Sequence, residues 1–102
     1  MPPPLTSSER SRRWRARNPK RAEDYRLRRH YGIGLSERND LLRHQGWRCA
    51  GCHRRNRWRK IVDHSHKTGR VRGILCHHCN LVLGHAKDNA NTLRRLACYL
   101  EK

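Results

Sequence analysis

The pattern of polar and apolar positions predicts helices in the first half of the chain. Residues 19–30 follow Asn18, which reads as an N-cap, and proline stands at the first helical position. Gly32 is a typical residue just past the end of such a helix. A second helix is predicted from a cap at Ser36 to about Gln45.

Branched aliphatic residues are concentrated in two later segments, 58–63 and 70–75, which predict two short strands joined by a loop. Together these strands form a hairpin. Helical spacing returns after the hairpin, and the last helix is predicted behind a cap at Asn89 or Asn91. Its apolar stripe consists of Leu93, Leu96, Ala97 and Leu100.

Residues 1–17 have a different composition from the rest. They open with three prolines, pass through Ser7 and Ser8, and become rich in arginine, with Trp14 as the large apolar residue. This composition predicts a disordered basic arm over residues 1–17 and one folded domain over residues 18–102.

The composition adds a strong constraint on stability. The 102 residues carry a formal net charge of +17, and Ile, Leu, Val and Phe together number 17, about a sixth of the chain. So thin an apolar content with so high a charge requires a further source of stability. The charge itself predicts a polyanionic partner, and we expect DNA.

Two CxxC pairs supply the missing stabilisation. Cys49 and Cys52 precede the hairpin, Cys76 and Cys79 follow it, and 23 residues separate the pairs. Four thiolates at this spacing predict a structural zinc ion. Two disulfides or a redox-active CxxC are competing interpretations. His53, His77 and His78 lie next to these cysteines in sequence and are alternative ligands. Cys98 is expected to be a packed thiol on the last helix.

Between and beside the cysteine pairs lie residues suited to phosphodiester hydrolysis. Asp63 and the side-chain amide of Asn80 can provide oxygen ligands to a hard divalent cation such as Mg²⁺. His64, adjacent to Asp63 on an extended strand, can take a proton from an attacking water. His66 is a further candidate, which would orient the phosphate, protonate the leaving oxygen or make a structural hydrogen bond.

The segment 62–84 reads VDHSHKTGRVRGILCHHCNLVLG and resembles the core of the phage recombination endonuclease VII family, a branch of the HNH or His-Me finger nucleases. YGI at 31–33 and GWRCAGC at 46–52 are similar to the same family, so that the resemblance covers roughly residues 30–100. It implies an α+β fold of the ββα-metal type, stabilised by zinc and flanked by helices. Asp63 and Asn80 would then be magnesium ligands and His64 the general base.

The resemblance also bears on the substrate. Members of the family are associated with branched DNA such as junctions and mismatches, and others of the wider class nick or cut duplexes. Ser65 stands where the family usually has a second acidic residue. The chain ends soon after Leu100, without the longer C-terminal region that helps the best-known members to dimerise, which leaves a homodimer and junction specificity open.

Two further groups of side chains are expected either to contact DNA or to pack against the zinc lobe, the part of the chain around the two CxxC pairs. In a regular strand Arg70 and Arg72 share one side, where they would grip phosphates or lie in solvent. Trp47 and Trp58 are expected to pack over the zinc lobe, with base stacking as the alternative. Further phosphate contacts are predicted from Arg12, Arg13, Arg15, Arg21 and Arg28.

The hypothesis from the sequence is a metal-dependent DNA endonuclease. The alternatives are a non-catalytic zinc-ribbon protein that binds nucleic acid, and a homing or host-directed nicking enzyme. Apolar runs long enough for a membrane span or a secretory signal are missing from the sequence, and we expect a cytoplasmic protein without a membrane partner.

Overall fold

Three helices form the N-terminal part of the chain in the computed structural model, which describes residues 1–55 and 57–102. They are α1 (Ser7–Arg17), α2 (Pro19–Tyr31) and α3 (Leu35–His44). The chain divides into two compact units, Met1–Asp40 and Leu41–Lys102, and the division falls within α3. The predicted division between residues 17 and 18 stays a prediction.

Helix α1 lies where the sequence analysis predicted a disordered arm. It begins with a capping box, in which the Thr6 hydroxyl accepts from the Glu9 N–H at 3.2 Å and the Glu9 carboxylate accepts from the Thr6 N–H at 2.9 Å. Glu9 is half-buried and the other residues of α1 are exposed. The basic segment is therefore helical from Ser7, and the local signal for it is Thr6 followed by Glu9.

Helix α2 confirms the predicted helix over 19–30. Gly32 adopts the left-handed conformation at φ 74° and donates its N–H to the Arg28 carbonyl at 3.0 Å. Asn18 precedes the helix as predicted, but its side chain does not cap it. The Asn18 amide donates instead to the Trp14 carbonyl at 2.9 Å.

Helix α3 begins one residue before the predicted cap, Ser36. The Leu35 N–H donates at 2.8 Å to the carboxylate of Asp24, a residue of α2. This bond, followed by the bond from Arg28, lowers the pKa of Asp24. A carboxylate distant in sequence therefore satisfies the first turn of α3.

The second unit contains the predicted hairpin and two further helices. Strands β1 (Lys60–His64) and β2 (Val71–Cys76) pair antiparallel, with Val62 opposite Ile74. Helix α4 (His77–His85) follows β2 directly and packs against both strands, and α5 (Ala90–Leu100) is capped by Asn89. In the described residues the protein is thus a small α+β structure with five helices and a two-stranded sheet.

The hairpin is irregular at the point where the candidate site begins. Asp63 pairs with Gly73 but His64 pairs with Val71, so Arg72 is an extra residue on β2. Such a bulge bends the strand and re-aims the side chains beside it. The prediction that Arg70 and Arg72 share one side of a regular strand was therefore wrong, and Arg70 lies before the first residue of β2.

Gln45 connects the end of α3 to β2. Its amide nitrogen donates to the Arg48 carbonyl at 2.8 Å and to the Ile74 carbonyl at 3.0 Å, and its amide oxygen accepts from the Ile74 N–H at 2.8 Å. Gly73 allows this approach, because a Cβ there would lie 3.2 Å from the Gln45 amide oxygen. The Ile74 carbonyl also accepts from the Ala50 N–H at 3.1 Å, so Gln45 is the side chain that satisfies the N–H of this fully buried residue and shares its carbonyl.

No helix in the described residues combines the length and the apolar content that a membrane span requires.

Replacing Gln45 should destabilise the protein. Gln45→Ala leaves the buried Ile74 N–H without its partner, whereas the Ile74 carbonyl keeps the Ala50 N–H, and we expect a loss of about 1–3 kcal/mol in the free energy of unfolding. Urea unfolding followed by circular dichroism, at a fixed zinc concentration, measures this loss. Asn91→Ala removes an exposed amide that is bonded to Arg94 and serves as the control. Equal stabilities of the two variants would contradict the proposed role of Gln45.

Candidate metal centre and nuclease site

The four predicted zinc cysteines converge at one point. The Sγ atoms of Cys49, Cys52, Cys76 and Cys79 all lie within 4.8 Å of one another, and Cys52 and Cys76 are 3.9 Å apart. A tetrahedral zinc ion with Zn–S bonds of about 2.3 Å needs sulfur atoms about 3.8 Å apart. The donor type, number and spacing fit a structural zinc ion, which these residues could bind.

The chain builds this cluster from a tight turn and a strand end. Cys76 is the last residue of β2 and the N-cap of α4, and its sulfur accepts from the Cys79 N–H at 3.4 Å. The Cys49 sulfur accepts from the Cys76 N–H at 3.2 Å and from the Gly51 N–H at 3.4 Å. A Cβ at Gly51 would lie 3.0 Å from the Cys79 sulfur, so glycine permits the close approach.

Two thiols of the cluster have pKa values shifted in opposite directions. Burial opposes ionisation of Cys49, but backbone N–H groups of Cys76, Cys52 and Gly51 lower its pKa to about 6. Burial, followed by hydrogen bonds with the neighbouring thiols, raises the pKa of Cys79 to about 12. Four thiolates cannot crowd together without a cation, and metal binding is expected to release protons.

A small core surrounds the cluster. Cys49, Leu75 and Cys76 are buried together, and Trp58 packs against them, as the sequence analysis predicted. Trp47 is instead 49% exposed, contrary to the prediction that it packs over the zinc lobe. The expected burial of Cys98 is also wrong, since this thiol on α5 is exposed. All five cysteines are free thiols, so the disulfide interpretation finds no support.

Asp63, the predicted metal ligand on β1, is buried and held by Arg72. The Arg72 Nε donates to one carboxylate oxygen at 2.7 Å and Nη2 to the other at 3.0 Å, a bidentate pair. Each carboxylate oxygen keeps a further lone pair, so a cation could bind beside the guanidinium. The predicted phosphate contact of Arg72 therefore competes with an ion pair that the sequence analysis missed.

The turn between α4 and α5 supplies a second carboxylate to the same arginine. Asp88 lies 3.3 Å from Nη2 of Arg72. Both Lys87 and Asp88 adopt φ 55°, a left-handed conformation in which aspartate is among the better tolerated residues. The hydrogen bonds that Arg72 donates to Asp63, followed by those that it donates to Asp88, raise the pKa of Arg72.

The predicted base His64 ends β1 and is half-buried. Its ring centroid lies 5.0 Å from that of His66, which is exposed in the hairpin loop. His66, Lys67, Arg72 and Lys87 contribute to the lining of an open cleft of about 700 Å³. Asp88, which pairs with Arg72, lines the same cleft, whereas Asp63, His64 and Asn80 do not.

Asn80 lies in the first turns of α4 and is half-buried. It follows Cys79 directly, so the cysteine cluster lies at the start of the helix that carries Asn80. Because α4 packs against β1 and β2, Asn80 belongs to the same compact unit as Asp63 and His64. Its role as a ligand stays a prediction.

The predicted DNA-contacting arginines differ in what they already bind. Arg28 pairs with Asp24 at 2.9 Å and lies 3.8 Å from Glu37, so its guanidinium is engaged within its own unit. The others are exposed to solvent: Arg12, Arg13, Arg15, Arg21 and Arg70. Their contacts with DNA stay predictions.

Comparison with known proteins identifies the family. Residues 24–102 match the family described as recombination endonuclease VII, and the chain belongs to this family. It is similar to the Gene 59 protein of Mycobacterium phage D29, with 48% identity over 75 residues, covering 71% of this chain and 46% of that protein. The Gene 59 protein of Mycobacterium phage L5 is 45% identical over 73 residues, covering 69% and 44%.

This chain spans less than half the length of these two relatives. No solved structure matches it.

We expect the protein to bind about one zinc ion per chain, since its apolar core is too small for a stable metal-free fold. Metal analysis of protein purified without added zinc measures the content. Cys49→Ser should lose zinc and unfold at a lower temperature, whereas Cys98→Ser, an exposed thiol outside the cluster, should keep both properties. A cooperative fold that persists after zinc is stripped would contradict this prediction.

Proposed function

We propose that this chain is a metal-dependent DNA endonuclease domain of the ββα-metal (HNH, His-Me finger) type, which hydrolyses phosphodiester bonds. One observation carries the proposal. Asp63 and His64 end the first strand of a hairpin that leads, through two metal-binding cysteines, into the helix bearing Asn80, within a segment that matches the endonuclease VII family.

Each residue has a distinct task in this proposal. The His64 imidazole accepts a proton from the water that attacks the phosphorus atom. Asp63 and Asn80 hold a divalent cation, Mg²⁺ or a similar ion, through oxygen atoms. Such a cation supplies charge stabilisation for the pentacovalent phosphate and for the departing oxygen. Ser65, which stands at a usually acidic position, accepts N–H bonds from Lys67 and Thr68 and so shapes the loop.

His66 and the basic cleft provide for the phosphate itself. The exposed His66 ring is close enough to His64 to act on the same phosphodiester, by orienting it or by protonating the leaving oxygen. Lys67 and Lys87 line the cleft as well and contribute positive charge to it. These groups would bind a phosphate and would not distinguish one base sequence from another.

The substrate is DNA, held mainly by its backbone, since the net charge of +17 is distributed along the whole chain. The phage origin of the relatives and the description of the family favour a recombination-related substrate, such as branched or nicked DNA, in the cytoplasm of the host cell. A homodimer would let two such sites act on two strands.

His64→Ala should abolish cleavage and leave zinc content and DNA affinity nearly unchanged, because the imidazole serves proton transfer. General bases typically contribute about a hundredfold to ten-thousandfold to the rate. The assay incubates the protein with a duplex, a four-way junction and a single strand, with and without Mg²⁺. His85→Ala, an exposed histidine at the end of α4, is the matched control.

Asp63→Ala and Asn80→Ala should also be inactive, but through weaker Mg²⁺ binding, so raised Mg²⁺ should partly restore Asn80→Ala and should not restore His64→Ala. If His64→Ala cleaved DNA at the wild-type rate, His64 would not be the general base, and His66 would be the next candidate. A wild-type protein that binds DNA and cuts none of the three substrates would favour the non-catalytic zinc-ribbon alternative.

Variants of Arg72 and Arg70 should distinguish a residue that positions Asp63 from a residue that binds phosphate. Because Arg72 holds the Asp63 carboxylate, Arg72→Ala should lower kcat or Mg²⁺ affinity about tenfold to hundredfold. Arg70→Ala should mainly weaken DNA binding and reduce its salt dependence. Steady-state kinetics and Mg²⁺ titration without DNA distinguish the two variants, and Arg72→Lys should recover part of the loss. Identical behaviour of Arg70→Ala and Arg72→Ala would contradict the positioning role.

A further inference from the structure

The first compact unit contains an open cleft that the proposed nuclease chemistry does not use. It lies between α1 and α2, which pack against each other, and has a volume of about 730 Å³. Trp14 from α1 and Tyr25 from α2 line it, and these side chains are 41% and 63% exposed. Two large aromatic rings exposed in one cleft are a feature that a binding partner would explain.

The walls of this cleft are cationic. Arg10 and Arg15 line it from α1, and Arg26 and Arg29 line it from α2. Within the described part of the chain, neither Arg15 nor Arg29 forms an ion pair. Their guanidinium groups are therefore available to an anionic ligand.

The acidic residues nearby do not cancel this charge. Glu23 also lines the cleft, but it accepts from Arg26 at 2.7 Å and lies 3.5 Å from Arg38. Hydrogen bonding from Arg26, opposed by burial, lowers the pKa of Glu23, so it stays ionised and committed to these partners. Residues 1–40 carry 11 Lys and Arg against 5 Asp and Glu. An anion is the complementary ligand.

We propose that this cleft, defined by Trp14, Tyr25, Arg15 and Arg29, binds unpaired DNA, with bases stacked on the two rings and phosphates on the two arginines. Proteins bind single strands by this combination, because every base offers a flat face and every nucleotide carries one phosphate. The bases of an intact duplex are already stacked on each other and cannot reach the rings. The site therefore favours DNA with unpaired nucleotides.

Other anionic occupants fit less well. Helices that lie on anionic membranes present a wide apolar stripe, whereas Trp14 is the one large apolar side chain of α1. An acidic peptide would match the arginines but has no regular use for two exposed rings at one place. The pairing of rings with guanidinium groups is accounted for best by nucleotides. This binding goes beyond the proposed cleavage and does not depend on it.

The test measures binding and not cleavage. Fluorescence anisotropy of the 102-residue chain carrying His64→Ala, without added divalent cation, is recorded with three probes of equal length: a labelled oligo-dT strand, an abasic strand of the same charge, and a duplex. Trp14→Ala and Tyr25→Ala should each weaken oligo-dT binding about fivefold to a hundredfold. Binding of the abasic strand and of the duplex should change less than about twofold, because phosphate contacts persist.

Three further variants keep the test decisive. Trp14→Phe keeps a ring and should retain most of the oligo-dT affinity, which separates stacking from folding. Tyr99→Ala removes a tyrosine on α5 that is as exposed as Tyr25 and should have no effect. Arg15→Gln should weaken the binding of all three probes and flatten the salt dependence by about 0.7–0.9 in log–log slope.

Equal losses on oligo-dT and duplex in Trp14→Ala, or no loss at all, would overturn the proposal. So would an effect of Trp14→Ala confined to vesicles of phosphatidylserine or to a polyglutamate peptide, since the cleft would then serve a membrane or an acidic protein. A protein that binds oligo-dT through Trp14 but cleaves no DNA would support the cleft and contradict the proposed nuclease. A protein that cleaves DNA but whose binding of oligo-dT is unchanged by Trp14→Ala would support the proposed nuclease and contradict the proposed cleft.

Discussion

The second unit of this protein depends on the meeting of four cysteine thiols. Cys49 accepts hydrogen bonds from Cys76 and Gly51, so the turn before the hairpin is attached to the end of β2. Cys76 then caps the helix that carries Asn80. With so few aliphatic residues and a net charge of +17, hydrophobic burial alone cannot overcome the conformational entropy of the chain. A metal ion that binds only the assembled thiols adds its binding free energy directly to folding.

A second constraint is the buried carboxylate of Asp63. A buried charge is tolerated where it is paired and hydrogen-bonded, and Arg72 satisfies both oxygen atoms. The β-bulge makes this possible, because it inserts Arg72 as an additional residue opposite the step from Asp63 to His64. Asp88, held at a left-handed φ in the next turn, gives the guanidinium a second acceptor. The bulge, the left-handed turn and the buried carboxylate thus occur at the same place, where a phosphate would have to compete with Asp63 and Asp88 for the Arg72 guanidinium.

Local chemistry determined which features could be predicted from the sequence. The two CxxC pairs, the hairpin and the stop at Gly32 rest on spacing and backbone conformation, which neighbouring residues fix. The capping box of α1 was also local, but the prolines and arginines around it favoured a disordered arm. The cap of α3 by Asp24, the bonds of Gln45 to Ile74 and the pair of Asp63 with Arg72 join residues that only tertiary structure brings together. Pattern alone does not contain these contacts, and the roles of Asp63, His64 and Asn80 remain predictions.

The positive charge of this protein can account for affinity for DNA but not for selectivity among DNA structures. Phosphates are the same in a duplex, a junction and a single strand, so a charge of +17 increases affinity for all of them and selects none. A hydrolytic site that contacts one phosphodiester does not distinguish a duplex from a junction or a single strand either. Selection among DNA structures must therefore come from groups that respond to base stacking or to backbone shape. Trp14 and Tyr25 are exposed aromatic rings flanked by arginines, and in the proposed cleft they would respond to bases that have left the duplex. In the proposed nuclease, selectivity for unpaired DNA would therefore come from these rings, since the surrounding cations bind every form of DNA alike.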